Sequence, residues 1–387
     1  MRVVAAGKAA VPMAHAARRE FGDLIRAGLI VGVEAAVEPT GGFQIVIGGH
    51  PTPSASSEQG GRRALELAGS LLADETLVVL LSGGASALMA VPADGLTLED
   101  KQAATRQLLR AGADIYALNT VRKHLSAIKG GWLAARAPGP CVAFAISDVV
   151  GDDLSVIGSG PTVPDASTFR DALDVVQRFG GEAAFPRGVV DHLKNGAQGR
   201  ALETPKPNDT KLARAQTTVI GGRRDAMEGA LREAESRGYQ VIRVDDAVVG
   251  EARVAGPAHL RAVVARAAGV GRPACVVSSG ETTVRVTGDG TGGRNQEFAL
   301  ACADVLAALG VPAALASVGT DGVDGPTDAA GALVDSTTIQ RAQAARLQPQ
   351  AFLERNDSHR FFEVLGDLVQ TGPTGTNVGD LQVILLG

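Results

Sequence analysis

Short runs of apolar residues alternate along the chain with longer stretches whose apolar positions recur every three to four residues. In the first half the short runs fall at residues 3–6, 29–33, 43–47, 77–81 and 142–146, most of them flanked by glycine, serine or aspartate. Runs of that length between turn residues predict buried strands. Helical periodicity occupies 8–21, 57–73, 98–111 and 168–179. Thr97 and Thr168 each have an aspartate three positions on, Asp100 and Asp171, which predicts a capped helix start at both places. Strand and helix alternating in this way imply an α/β protein with a parallel sheet covered by helices on both faces.

The pattern lapses over residues 197–214, a stretch of Gly, Pro, Asn, Asp and Lys. A domain boundary is expected there, with an N-terminal domain at 1–205 and a C-terminal domain at 212–387. Beyond it strands are predicted at 217–220, 241–244, 274–277, 283–287, 313–317 and 381–386, and helices at 224–237, 252–268 and 294–309.

Composition narrows the class. With 387 residues the chain is too long for one ordinary domain. Aromatic residues make up 3%, so the cores must be aliphatic. A net charge of −5 with no basic patch argues against nucleic acid as a partner. No apolar run approaches the ~20 residues of a membrane helix. Cys141, Cys275 and Cys302 are far apart and odd in number, and read as core residues rather than a disulfide framework or zinc site. The first residues faintly resemble a secretion leader, but Lys8 and Pro12 interrupt the apolar stretch. Strand, turn and helix are expected instead, in a cytoplasmic protein.

Ligands of open α/β sheets bind beyond the carboxyl ends of the strands, so the turns there carry the candidate chemistry. Lys8 follows the first strand at the start of a predicted helix, and Arg294 follows Gly292-Gly293 at the start of another. A cation there opposes the helix dipole, and becomes favourable where an anion also binds. Arg294 is therefore expected to neutralise ligand charge rather than to stabilise the fold. Ser82-Gly83-Gly84-Ala85-Ser86 follows a buried strand and could cradle a phosphate or carboxylate with backbone amides. Ser279-Gly280-Glu281-Thr282 reads as a second, lesser nest. Asp148 and Asp321 head two aspartate-rich turns and could hold Mg²⁺ beside phosphates, although Asp beside Gly more often caps a turn; Asp153 reads as a helix cap. Asn119, Arg122 and Lys123 sit at helical spacing as candidates for an anionic substrate. His50 lies on a turn and reads as structural. Gly288, Gly290 and Gly293 match the dinucleotide fingerprint and keep a reductase reading open. Against it, the next strand-end acid, Asp321, comes late, and polar residues follow the last glycine.

Taken together, Gly7-Lys8-Ala9-Ala10, Gly49-His50-Pro51, Leu81-Ser82-Gly83-Gly84, residues 119–126, Ser147-Asp148-Val149, Ser159-Gly160-Pro161-Thr162, and residues 292–297, 319–325 and 371–378 resemble, in order, the glycerate 2-kinases of the MOFRL type. Some members of that family carry a hydroxypyruvate reductase label. The resemblance implies transfer of the γ-phosphoryl group of ATP to D-glycerate with Mg²⁺. It also implies a Rossmann-like three-layer N-terminal domain, a smaller α/β C-terminal domain, and an active site in a cleft between them. Lys8, Arg294 and Asp148 would be catalytic. Ser82, Gly83, Gly84, Ser86, Gly280, Glu281 and Asp321 would hold the nucleotide. Lys8, Arg122, Lys123 and Asn295 would meet the substrate, and Asp148 and Asp321 the metal. The expected partners are small molecules, with no nucleic acid or membrane; the chain is expected to be a monomer or a homodimer. The chain departs from the family in beginning at the first strand, without the helical sequence usual ahead of it, and in Ser279, where glycine is more frequent.

Overall fold

A computed structural model describes residues 1–33 and 42–387. The chain divides into two compact units, residues 1–220 and 221–387.

The first unit is built on six strands: β1 (Arg2–Ala6), β2 (Ala27–Gly32), β3 (Phe43–Ile47), β4 (Leu77–Leu81), β5 (Cys141–Ile146) and β6 (Ala215–Gly221). Their order is β3-β2-β1-β4-β5-β6, and β3 through β5 pair in parallel. This is the strand order of doubly wound α/β sheets. Alternate residues of each strand point to opposite faces. Val4, Ala6, Leu29, Val31, Val79 and Leu81 enter one apolar cluster, whereas Val3, Ala5, Ile30, Val78 and Leu80 enter another. Both sets are buried, as the near-continuous apolar runs require. A third cluster joins the helices Leu98–Arg110, Ile115–His124, Phe169–Arg178 and Arg187–Ala197. Both predicted capping boxes are present: Asp100 N–H donates to Thr97 Oγ1 and Asp171 N–H to Thr168 Oγ1, each at 3.2 Å.

The second unit holds β7 (Gln240–Arg243), β8 (Val248–Glu251), β9 (Ala274–Thr283), β10 (Ala313–Gly319), β11 (Gly331–Asp335), β12 (Leu368–Val369) and β13 (Asp380–Leu386). The order is β12-β11-β10-β13-β9-β7, with β8 also on β9. Only β7 and β8 run parallel to β9; the pairs β9–β13, β13–β10, β10–β11 and β11–β12 are antiparallel. The parallel sheet expected of the N-terminal domain is present in the first unit, and the second unit is an α/β domain on a mixed sheet. The division also falls later than residues 205–212. The segment expected to open the second domain is β6, which extends the first sheet beside β5. The three cysteines are buried and unpaired, as expected of core residues.

Candidate active-site clusters

In the first unit, β1 and β4 are neighbours and their carboxyl-end turns interlock. Lys8 lies just ahead of the helix Ala10–Phe21 rather than inside its first turn. Its backbone N–H donates to Gly83 O (2.8 Å), and Ala9 N–H donates to the buried Ser82 Oγ (3.0 Å). Gly7 has φ of +123°, and a Cβ there would overlap Ser82. Gly84 has φ of +86°; a Cβ on it would lie 3.0 Å from His50 Cδ2 and 3.7 Å from Lys8 Cγ. The turn Ser82-Gly83-Gly84 thus brings Lys8 and His50 together, as a close approach of two backbone turns allows only with glycine.

Beside this turn is a buried polar chain. Lys129 Nζ donates to Ser86 O (2.6 Å) and Ser86 Oγ (3.0 Å). Ser86 Oγ lies 2.8 Å from Ser159 Oγ, which donates to Asn119 Oδ1 (2.9 Å). Lys101 Nζ donates to Leu125 O (2.9 Å) and Val91 O (3.3 Å). Burial, with Arg122 nearby, pushes the Lys101 ammonium down to about 7. Burial likewise lowers Arg122 to about 10 and Lys129 well below the ordinary lysine range, the neighbouring cations adding to the effect on Lys129.

Lys123 does not join Asn119 and Arg122. Its Nζ is 3.3 Å from Asp165 Oδ1, with both side chains buried. Burial pushes the Asp165 carboxyl up, but Lys123 and Ser167 outweigh that and hold it below its usual range. Consecutive helix positions point about 100° apart, so Arg122 and Lys123 face different surroundings, and the expectation of a shared face is corrected to Asn119 and Arg122.

Asp148 is half-buried in the loop after β5. Asp153 Oδ1 accepts from Ser155 N–H (2.8 Å), so it caps a turn rather than the helix expected; Val156 precedes the short helix Ile157–Ser159. In the second unit Asp321 is half-buried, and its Oδ1 accepts from Val323 N–H (3.1 Å), a capped turn. Among the described residues no group of three or more His, Cys, Asp or Glu is gathered to hold a metal.

The second unit's cluster surrounds the helix Arg294–Ala307. Its amino end is already occupied by a protein carboxylate: Asp324 Oδ1 accepts from Asn295 N–H (3.0 Å) and Asp324 Oδ2 from Gln296 N–H (2.8 Å). A Cβ at Gly293 would overlap that carboxylate. Arg294 is not held for a ligand alone. Its Nε lies 2.8 Å from the fully buried Asp380 Oδ2, and its other nitrogens donate to Asp380 Oδ1 (3.0 Å) and Glu281 Oε1 (2.9 Å). Burial alone would lower the guanidinium; Asp380 and Glu281 outweigh it and raise it above its ordinary value. The expectation that Arg294 is irrelevant to the fold is thereby corrected: its anions are protein carboxylates. Asn295 is buried, donates to Asp380 Oδ1 (2.9 Å) and accepts from Ser317 Oγ (2.7 Å). It is an internal strut, not the expected substrate contact. Burial pushes Asp324 up to about 6, with Asp380 adding to the shift, and also raises Asp380.

Two further expectations change. Ser279, Gly280 and Glu281 lie within β9, where Gly280 pairs with Val248 and Asp380, so no anion nest forms there. The amides of the segment 287–291 are also engaged. Thr287 and Gly288 N–H donate to Asn356 Oδ1, and Thr291 N–H to Asp357 Oδ1. A dinucleotide pyrophosphate needs such amides and an open helix amino end; here side chains fill both. Asp380 and Asp324 were the residues sequence reasoning missed. Asp324 sat unremarked in the aspartate-rich turn, and Asp380 had no local signal.

The doubly wound sheet, the glycine turn holding Lys8 and the carboxylate-ringed Arg294 define an α/β enzyme of two units. Residues 1–194 match the family described as a domain of unknown function, DUF4147, and residues 274–380 match the MOFRL family. The chain is 41% identical to the D-glycerate 2-kinase of Thermotoga maritima, over 99% of this chain and 90% of that one. It is 36% identical to the glycerate kinase of Homo sapiens, over 99% and 84%. A chain of Agrobacterium vitis provisionally named hydroxypyruvate reductase is 40% identical, over 100% and 87%. The crystal structure of the Thermotoga maritima glycerate kinase superposes with a TM-score of 0.87, covering 100% of this chain and 91% of that one. The chain belongs to the MOFRL-type glycerate kinase family.

Proposed function

We propose that this chain is a glycerate 2-kinase. It transfers the γ-phosphoryl group of ATP to the 2-hydroxyl of D-glycerate, giving 2-phospho-D-glycerate and ADP. The observation that carries the reading is 41% identity to a D-glycerate 2-kinase along 99% of the chain.

Phosphoryl transfer requires positioning and charge neutralisation more than covalent chemistry. We assign the Gly83 and Gly84 amides of the turn after β4 to an oxyanion of the substrates, and Lys8, anchored at that turn, to the transferring group. Arg294 presents the remaining face of its guanidinium to ligand charge while Asp380 and Glu281 fix its orientation. Asp148 and Asp321 each offer one half-buried carboxylate. A single carboxylate of this kind suits Mg²⁺ arriving hydrated on nucleotide phosphates, not a resident ion in a protein cage. When bound, such an ion withdraws charge from the phosphates. Small-molecule chemistry of this kind belongs in the cytoplasm, where ATP is available; among the described residues no helix is long and apolar enough to cross a membrane.

The reductase reading has no support from the filled amides of Thr287, Gly288, Gly290, Thr291, Asn295 and Gln296. A coupled assay separates the two. ADP release should depend on D-glycerate, and NADH oxidation with hydroxypyruvate should stay at background. NADH turnover without ATP would refute the kinase.

A further inference from the structure

Among the described residues, three cations of the first unit have no protein carboxylate of their own. Lys101 and Lys129 are buried and donate only to carbonyl and hydroxyl oxygens. Arg122, half-buried, makes no hydrogen bond or ion pair with any described residue. Glu58 is the acid that acts on Lys101, and it is already bonded to Arg62 (2.6 Å). Buried cations are ordinarily paired, because an unpaired one loses hydration without return. Next to them is a second unmet demand. Asn119 is 3% exposed, and its Nδ2 has no acceptor. Its amide oxygen, Oδ1, accepts from Ser159 Oγ. Asn119 and Arg122 are one helical turn apart on the helix Ile115–His124, and therefore neighbours on one face. Lys123 of the same helix, by contrast, has its aspartate.

We propose that Asn119, Arg122 and Lys129 form an oxyanion pocket that fixes one end of a substrate. The site rests on the kinase reading for the identity of that substrate. Two sources supply the same chemistry: the carboxylate of the acceptor acid and a phosphate of the nucleotide. Arg122 and Asn119 Nδ2 donate to the anion directly. Lys129 supplies charge through the Ser86–Ser159–Asn119 chain, and so holds the amide in place. These are binding and positioning roles. The acceptor's hydroxyl and the transferring phosphoryl group are handled elsewhere.

The test is Arg122→Gln, with Asn119→Leu as a second variant, in the full chain. Thermal melting and kinetics are measured for each, with D-glycerate and ATP varied separately. Loss of a charge-assisted hydrogen bond corresponds to roughly 10- to 100-fold in affinity. Arg122→Gln should therefore melt no lower than wild type without ligand, because it removes an unpaired cation. It should raise one KM by that factor and leave kcat within a few-fold. A rise in the KM for D-glycerate assigns the pocket to the carboxylate, and a rise in the KM for ATP assigns it to phosphate. Asn119→Leu should raise the same KM. If wild type phosphorylates D-glycerate and Arg122→Gln leaves both KM values unchanged, the pocket is refuted and the kinase stands. A marked fall in ligand-free melting temperature for Arg122→Gln also refutes it, by making Arg122 a structural residue. Wild type that does not phosphorylate D-glycerate refutes the kinase reading instead; loss in Arg122→Gln of the melting shift produced by D-glycerate or ATP would still support the pocket.

Discussion

Arg294 meets two demands at once. Asp380 is fully buried and Arg294 is its cation, so Arg294→Ala strands a buried carboxylate. Breaking such a pair costs about 3–5 kcal/mol when both partners are buried, and less here because Arg294 is one-third exposed. A fall in melting temperature on the order of 5–10 °C is expected, together with loss of activity. Arg294→Ala with Asp380→Asn should recover much of the melting temperature and none of the activity. Unchanged melting in the single variant would contradict the pairing. Asp324 gives the residue scale a pH signature. Its folded value is pushed up to about 6 by burial, against about 3.9 unfolded. Between these values the native state keeps a proton that the unfolded chain has released. Its contribution to stability therefore falls as pH rises from about 4 through 6 and is level above. The stability difference between wild type and Asp324→Asn should accordingly be most favourable to wild type near pH 4 and shrink by pH 7. Denaturant unfolding at both pH values measures it, and a constant difference would contradict the shift.

Elements defined by local chemistry were legible in the sequence, and those defined by distant partners were not. Thr97 with Asp100 and Thr168 with Asp171 cap their helices within three residues, and local spacing suffices to read them. The helix Arg294–Ala307 was also readable, but its cap was not. Asp324 supplies it from 29 residues along the chain, and Asp380 reaches Arg294 across 86. Likewise Ser279-Gly280-Glu281-Thr282 reads as an anion nest, yet β8 and β13 flank it and draw it into one ten-residue strand. Tertiary pairing overrides weak strand propensity there. The cap makes a prediction at this scale. At Gly293 a side chain would displace Asp324 from the helix amino end. Gly293→Ala should lose the cap, worth ~0.5–2 kcal/mol, and disturb the Asn295–Asp380 contacts beyond it. Circular-dichroism melting should show the loss; a Gly293→Ala protein as stable as wild type would mean the carboxylate does not cap the helix.

For the molecule as a whole, the doubly wound first sheet was legible because its strands are continuous apolar runs, buried on both faces. Its far edge was not. β6 alternates half-buried and exposed residues and follows a stretch of loop composition, so it read as the start of the next domain. A fragment ending at residue 221 should fold cooperatively, whereas one ending at 205 should not, because it leaves β5 without its outer neighbour, β6. Cooperative melting of the shorter fragment would contradict this. The central claim, that the chain phosphorylates D-glycerate at its 2-hydroxyl, is tested most directly by phosphorus NMR of the product formed from D-glycerate, ATP and Mg²⁺. The predicted spectrum contains ADP and 2-phosphoglycerate in equal amounts. The phosphorus resonance of 3-phosphoglycerate, or ADP with no phosphorylated glycerate at all, would contradict it.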